Sequence, residues 1–220
     1  MPAKIRCGVD EAGKGPVIGP MVAACVRADE TALPSGINDS KQVTPTKRES
    51  IAQTLVADPS IEIGLGIITV EEIDDPQTDM NSLTVRGQVR AINAVVNETD
   101  EVVVDAGDVS AERFGNRIVD GVSTPVTVVS EHRADEMYPL VAAASIVAKV
   151  ERDRRIETLK AEYADFGDLG SGYPSDPNTR SFLETYIAAH GDVPACARRS
   201  WATCDDLLAA ASQSGLSDFD

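Results

Sequence analysis

Apolar residues along this chain fall into two kinds of run. Short β-branched stretches bounded by turn formers predict strands at Ile5–Asp10, Val22–Val26, Ile61–Thr69, Glu101–Asp105 and Val126–Val129. Thr44 followed by Pro45 reads as an N-cap and first helical residue, opening a helix through about Val56. Further helices are predicted over Ser82–Asn97, Thr179–Ala189 and Thr203–Ala211. After Pro139, a run of small and apolar residues from Leu140 to Val150 continues into a charged stretch ending near Tyr163. That pattern predicts a helix buried on most sides in its first half and exposed in its second. Gly170-Ser171-Gly172-Tyr173-Pro174 is too rich in glycine for regular structure and presents one aromatic ring in a loop. Strands and helices in this order give a mixed α/β class, and 220 residues suit one well-buried domain with a small C-terminal addition.

Composition narrows the class. No apolar run is long enough to span a bilayer and the N-terminus has no signal-peptide pattern, so a soluble, intracellular protein that binds no membrane is expected, read as a monomer. Cys7, Cys25, Cys196 and Cys204 have no CxxC or zinc-type spacing, and they are expected as buried, reduced thiols. With His132 and His190 as the only histidines, His-rich metal sites are excluded and carboxylates must carry most of any chemistry. The net charge of −16 sets 36 scattered acids against 20 basic residues, of which six are lysine. A scattered acidic surface poor in lysine suits work in concentrated salt, where charge repulsion is screened. An ordinary acidic cytosolic enzyme is the alternative. In concentrated salt, grip on phosphate must rest on metal, backbone contacts and stacking more than on surface charge.

The candidate chemistry sits at strand ends. Asp10 and Glu11 close the first strand and lead into Gly13-Lys14-Gly15-Pro16, a turn whose glycines let backbone approach a phosphate. Asp105 closes a run of three valines, and Asp135 precedes the long helix, whose N-terminal partial charge favours an ionised carboxylate. If the first and fourth strands are neighbours, their terminal acids converge. Oxygen donors of this kind suit Mg²⁺ or Mn²⁺, and two such ions roughly 3.5–4 Å apart activate water and stabilise the leaving oxygen of a phosphodiester. Asp108 rivals Asp105, but it follows a glycine instead of ending the valine run.

Six ordered segments carry a family resemblance. Asp10-Glu11-Ala12-Gly13-Lys14-Gly15-Pro16, Asp39-Ser40-Lys41, Val104-Asp105-Ala106, Ala134-Asp135, the run Ala142 to Val150 with Arg152-Asp153, and Gly170-Ser171-Gly172-Tyr173-Pro174-Ser175-Asp176-Pro177 resemble the motifs of type 2 ribonuclease H, ribonuclease HII. Their spacing is similar to that of archaeal members. The resemblance implies an RNase H-like fold: a five-stranded mixed sheet flanked by helices, with a helical C-terminal extension. It divides the chain into a catalytic core over 1–165, a loop and helices over 166–211 that complete the substrate site, and a polar tail over 212–220.

It also implies endonucleolytic hydrolysis of RNA in RNA–DNA hybrids and cutting at ribonucleotides embedded in duplex DNA, leaving a 3′-hydroxyl and a 5′-phosphate. Asp10, Glu11, Asp105 and Asp135 match the family's metal-binding carboxylates. The Gly13-Lys14-Gly15 turn matches the sensor of the ribose 2′-hydroxyl, with lysine where many members have arginine, so the planar two-pronged fork is lost. Tyr173 matches the tyrosine that stacks on the sugar beside the cleavage site. Lys41, Lys47, Arg48, Lys149 and Arg152 are candidate phosphate contacts; Lys41 and Lys149 lie inside motifs, whereas Lys47, Arg48 and Arg152 read better as solvated helix charges.

In the last eight residues, Gln213, Leu216 and Phe219 fill the glutamine, aliphatic and aromatic positions of the peptide by which replication proteins dock on the sliding clamp. A frayed polar tail is the other reading of that segment. A non-catalytic hybrid-binding module and a phosphohydrolase acting on small esters stand as the alternative functions.

Overall fold

Five strands form one mixed sheet in the computed structural model, which describes residues 5–37 and 44–217, with side chains as far as Gln213. They are β1 (Ile5–Ala12), β2 (Met21–Asp29), β3 (Glu62–Ile68), β4 (Glu101–Asp105) and β5 (Thr127–Glu131), in the spatial order β3-β2-β1-β4-β5. β1 runs antiparallel to β2 and β2 to β3, while β1, β4 and β5 are parallel neighbours. The helices are α1 (Pro45–Ala57), α2 (Val70–Ile73), α3 (Met80–Asn93), α4 (Ala111–Gly121), α5 (Pro139–Glu162), α6 (Pro177–His190) and α7 (Ala202–Ser217).

The chain divides into two units. The first takes Met1–Lys14, Met21–Ile68 and Asp79–Arg152, and contains the sheet. Strand alternation sorts its core into two layers. Val22, Ala24, Val26 and Ala28 of β2 face Ile51 and Leu55 of α1 and the buried start of α5, including Ala143 and Ile146. Ala23 and Cys25 share the opposite face with Cys7, Val9, Val102 and Val104, packed on Val85 and Ile92 of α3 and Phe114 and Ile118 of α4. Gly8 explains the tight seat of α5, since a Cβ there would lie 2.2 Å from the backbone carbon of Leu140.

The second unit takes Gly15–Pro20, Thr69–Thr78 and Asp153–Asp220. Its core gathers Val17 and Ile18 with Ile156, Leu169, Phe182, Leu183, Ile187 and Cys204. Tyr163, Phe182 and Tyr186 add edge-to-face ring contacts, with Tyr163 and Phe182 at 5.9 Å and 83°.

The observed sheet and its flanking helices match the fold expected, while several element limits differ. β1 runs on through Glu11 to Ala12, because both acids keep antiparallel pairing with β2. α2 and α4 were not predicted. α2 follows directly on the strand ending at Ile68 and opens with a capping box between Thr69 and Glu72. α4 contains Gly115 inside it, which breaks the helical signature in sequence, yet it is capped by Ser110 and buries Phe114 and Ile118. α7 reaches Ser217 instead of ending near Ala211, so Gln213 and Leu216 lie on helical backbone and Phe219 lies outside the described residues. Lys41, with the rest of Asp39-Ser40-Lys41, also lies outside them. The four cysteines are buried and unbridged. Among the described residues, no helix is long and apolar enough to cross a membrane.

Candidate active site

Parallel pairing of β1 with β4 sets the site. The register places Val9 opposite Val104, so Asp10 and Asp105 each follow one residue later on neighbouring strands. Beyond β4, Asp105 pairs with Glu131 of β5, and Asp105 Oδ1 accepts the amide of Ala134 at 2.9 Å. That bond ties the short 3-10 turn Ala134–Glu136, and with it buried Asp135, to the end of β4. Arg133, just before the turn, has a left-handed backbone at φ 59°, an unusual conformation for a residue with a side chain.

Asp10 is buried, and its carboxyl is held well above the usual carboxylate range. Burial is the main cause, with the charges of Glu11 and Asp105 adding to it. The Ser145 hydroxyl and the amide of Glu11, which donates to Asp10 Oδ1 at 2.7 Å, pull the other way. Ser145 in turn accepts from Lys149 Nζ at 2.8 Å, so Lys149 reaches Asp10 through one hydroxyl. Glu11 is raised as well, by burial first, against the opposing pull of Lys14 and Gln88. Gln88 Nε2 donates to Glu11 Oε2 at 2.7 Å and to the carbonyl of Asp105 at 3.0 Å. Lys14 Nζ donates to the Gly107 carbonyl at 2.7 Å and stands 3.8 Å from Glu11 Oε1.

The sequence-predicted acids therefore divide by what holds them. Asp10, Glu11 and Asp105 lie in one another's field, and Asp135 sits on the turn bonded to Asp105. Asp108 is elsewhere engaged: Arg113 grips both its oxygens at 2.6–3.1 Å and holds its carboxyl below the usual range. Arg152, expected as a solvated charge, is buried at 5% exposure.

Among the described residues, no group of three or more His, Cys, Asp or Glu side chains closes into a ready-made metal cage. The donor set nevertheless fits a hard divalent cation. All four candidates are carboxylates, and two of them are buried at a cost in mutual repulsion that a cation would relieve. Gln88 Oε1, beside them, is a buried acceptor without a donor among the described residues.

Of the remaining candidates, Gly13, Lys14 and Lys149 belong to the first unit, and Gly15 and Tyr173 to the second. The chain leaves β1 through Gly13, whose φ of 93° is the left-handed backbone that glycine tolerates, and enters this unit at Gly15. Gly172 accepts the amides of Val17 and Ile18 at 2.8 and 3.2 Å. This stitch brings the next residue, Tyr173, beside Gly15, where a Cβ would stand 3.8 Å from the tyrosine Cε1. The ring is 43% exposed. Thr179 Oγ1 accepts the Gly172 amide and donates to the Leu169 carbonyl, and Asp176 accepts from Ser171, which fixes the loop from below. On its other side the Gly15–Pro20 segment meets Arg198, fully buried, whose Nε donates to the Gly19 carbonyl at 2.9 Å and whose amide donates to Val17 at 2.8 Å. Arg198 also lies over Trp201, and the indole N–H reaches the Gly15 carbonyl at 3.4 Å.

Gln88, Ser145 and Arg198 were not singled out from sequence. A signal existed for the first two: each is a polar residue on an otherwise buried helical face, Gln88 between Val85 and Ile92, Ser145 within the alanine-rich start of α5. Arg198 gave none, since its partners lie far away in sequence.

Comparison with known proteins gives the family. A family model for ribonuclease HII matches residues 7–204. Ribonuclease HII from Haloarcula marismortui is 57% identical over 215 residues, covering 98% of this chain and 100% of that protein. Among solved structures, ribonuclease H2 from Pyrococcus horikoshii OT3 aligns with a TM-score of 0.85 at 40% identity, over 95% of this chain and 99% of that one. The ribonuclease HII in a complex with PCNA from Archaeoglobus fulgidus aligns with a TM-score of 0.79 at 40% identity, over 92% and 96%. With the parallel strand-end acids, the glycine turn and this coverage together, the chain belongs to the ribonuclease HII family of metal-dependent endonucleases.

Proposed function

We propose that this protein hydrolyses the RNA strand of RNA–DNA hybrids and cuts at ribonucleotides embedded in duplex DNA, leaving a 3′-hydroxyl and a 5′-phosphate. The observation that carries the reading is the meeting of Asp10, Glu11 and Asp105 in one field at the ends of adjacent parallel strands. Together with Asp135 they would hold Mg²⁺ or Mn²⁺. When bound, such a cation neutralises phosphate charge and activates water for in-line attack. The protein's own part is to orient these carboxylates, with Asp10 and Asp135 buried. Ser145 with Lys149 supports Asp10, and Ala134 supports Asp105.

Substrate choice falls to the Gly13-Lys14-Gly15 turn and Tyr173. Gly15 is exposed and neighbours the tyrosine ring, which supports a joint reading of ribose by backbone and stacking. Lys14 supplies charge without arginine's two-pronged geometry. Lys149 is bonded to Ser145, which supports a role as a charge held near the scissile phosphate, and Lys41 is a further phosphate contact. A chain carrying −16 gains little from surface attraction to nucleic acid, so these close contacts supply the affinity. We also propose that the protein acts as a cytoplasmic monomer and docks on the sliding clamp through Gln213, Leu216 and Phe219. The Archaeoglobus fulgidus relative was solved with PCNA, and Gln213 is exposed here.

The test is a labelled duplex carrying one ribonucleotide, incubated with and without Mg²⁺, with the cut mapped. Metal-dependent cleavage beside the ribonucleotide is expected. Binding without cleavage would instead support a hybrid-binding module, and cleavage of small phosphate esters alone would support a general phosphohydrolase.

A further inference from the structure

Resting on the reading of Asp10, Glu11 and Asp105 as cation ligands, we propose that Gln88 is a positioning residue that sets how tightly the site takes its metal. Gln88 comes from α3 and is fully buried. One amide nitrogen bridges the two strands that carry the acids, through Glu11 Oε2 on β1 at 2.7 Å and the Asp105 carbonyl on β4 at 3.0 Å. Both partners are acceptors only, so the side chain must present its NH₂ to them. Rotating the amide would face its oxygen to a carboxylate and a carbonyl. The orientation that serves Glu11 therefore leaves Oε1 buried without a donor among the described residues.

That arrangement is a poor solution for a core position and a good one for a ligand site. A buried acceptor without a donor carries a desolvation penalty that an apolar side chain of similar volume would avoid. The neighbours on the same helix face, Val85, Ala91 and Ile92, show that apolar residues suit this layer. What the amide contributes is orientation: it fixes one oxygen of Glu11 and leaves the other, Oε1, facing Lys14. It does so as a neutral donor, adding no charge that competes with a cation. Groups that orient metal ligands in this way typically change metal affinity by about 10–100-fold when removed.

The experiment measures Mn²⁺ binding to the full chain without nucleic acid, by the loss of free-ion electron paramagnetic resonance signal, alongside thermal unfolding in chelator. Gln88→Met is expected to weaken Mn²⁺ binding by about 10–100-fold while the metal-free unfolding temperature stays the same or rises. A core-filling role predicts the reverse pair, a lower unfolding temperature with unchanged affinity, and that result would overturn the proposal. Gln88→Leu serves as a second donor-free variant, and failure of both to fold would likewise overturn it. Two controls separate this idea from the reading beneath it. If the parent binds no Mn²⁺, or if Asp10→Asn binds it as tightly as the parent does, the carboxylate assignment itself falls. If the parent binds through Asp10 and Gln88→Met binds equally well, only the role of Gln88 is lost.

Discussion

In the first unit the acids are placed by strand register, whereas in the second the backbone of Gly15–Pro20 is placed by hydrogen bonds from residues far along the chain. Asp10 and Asp105 meet because β1 and β4 are parallel and in step, so a few apolar residues on each strand decide where the carboxylates fall. Gly15 meets Tyr173 because Gly172 accepts two amides of the segment and Arg198 secures its far end. The first arrangement concentrates like charge and must be neutralised to act. The second sets a backbone segment beside a partly exposed ring and secures its far end with one fully buried cation, Arg198. On the reading proposed above, the metal-binding acids lie in the first unit and the Gly15 and Tyr173 pair in the second, and single substitutions can pull the two apart.

The largest effect should come from Asp10→Asn. The amide is nearly the same shape but binds a cation poorly, so cleavage of a single-ribonucleotide duplex should fall by at least about a thousandfold. The same change removes a buried like charge from beside Glu11 and Asp105. The metal-free variant should therefore unfold a few degrees above the parent, since about 1 kcal/mol moves the midpoint by roughly 2–4 °C in a chain of this size. Loss of activity with a lower unfolding temperature would mean that Asp10 serves the fold instead of the site.

Arg198→Ala should come next, and it strikes the other unit. It leaves the Gly19 carbonyl without a buried donor and opens space beside Trp201, at a cost of about 2–4 kcal/mol. The expected outcome is an unfolding temperature lower by several degrees, with weaker preference for ribonucleotide over deoxyribonucleotide and unchanged Mn²⁺ affinity. Arg198→Lys keeps the charge without the fork and should recover only part of the stability. A change in Mn²⁺ affinity would break the proposed separation of the units.

Tyr173→Ala is milder, because a ring 43% exposed contributes little to packing. Cleavage at a junction between RNA and DNA should fall roughly tenfold, the loss of about 1.4 kcal/mol of contact in the transition state, with stability unchanged. An equal loss on long hybrids would sink the idea that the ring reads the junction.

The same contrast explains how much could be read from the sequence. Strand-end acids were legible because a buried strand advertises itself by β-branched runs, and Asp105 could be preferred to Asp108 on that ground alone. Arg113 gives Asp108 its physical explanation, which no local pattern announces. α4 was missed because Gly115 and Gly121 read as breakers, while the burial of Phe114 and Ile118 outweighs their low propensity. Contacts that depend on chain return, such as Gly172 to Val17 and Arg198 to Gly19, leave no periodic trace. The Gly-Lys-Gly turn could be recognised as a motif, but what holds it could not.

The smallest effect on chemistry should follow removal of Gln213–Asp220. α7 keeps helical backbone to Ser217, so the segment begins on a helix and not in an irregular tail. Gln213 is exposed, and the helix packs through residues nearer its start, Cys204 and Leu207, so truncation should leave the unfolding temperature within a degree or two. Turnover on a short duplex, where no clamp is present, should likewise be unchanged. Affinity for the sliding clamp, measured by calorimetry with the purified proteins, should fall by about tenfold or more if Leu216 and Phe219 supply the apolar anchors. A docking peptide that begins at Gln213 would need the last turn of α7 to reshape, since its backbone is helical to Ser217. Helicity lost on clamp binding, read by circular dichroism, would therefore sharpen the idea, and equal clamp affinity for the truncated chain would end it.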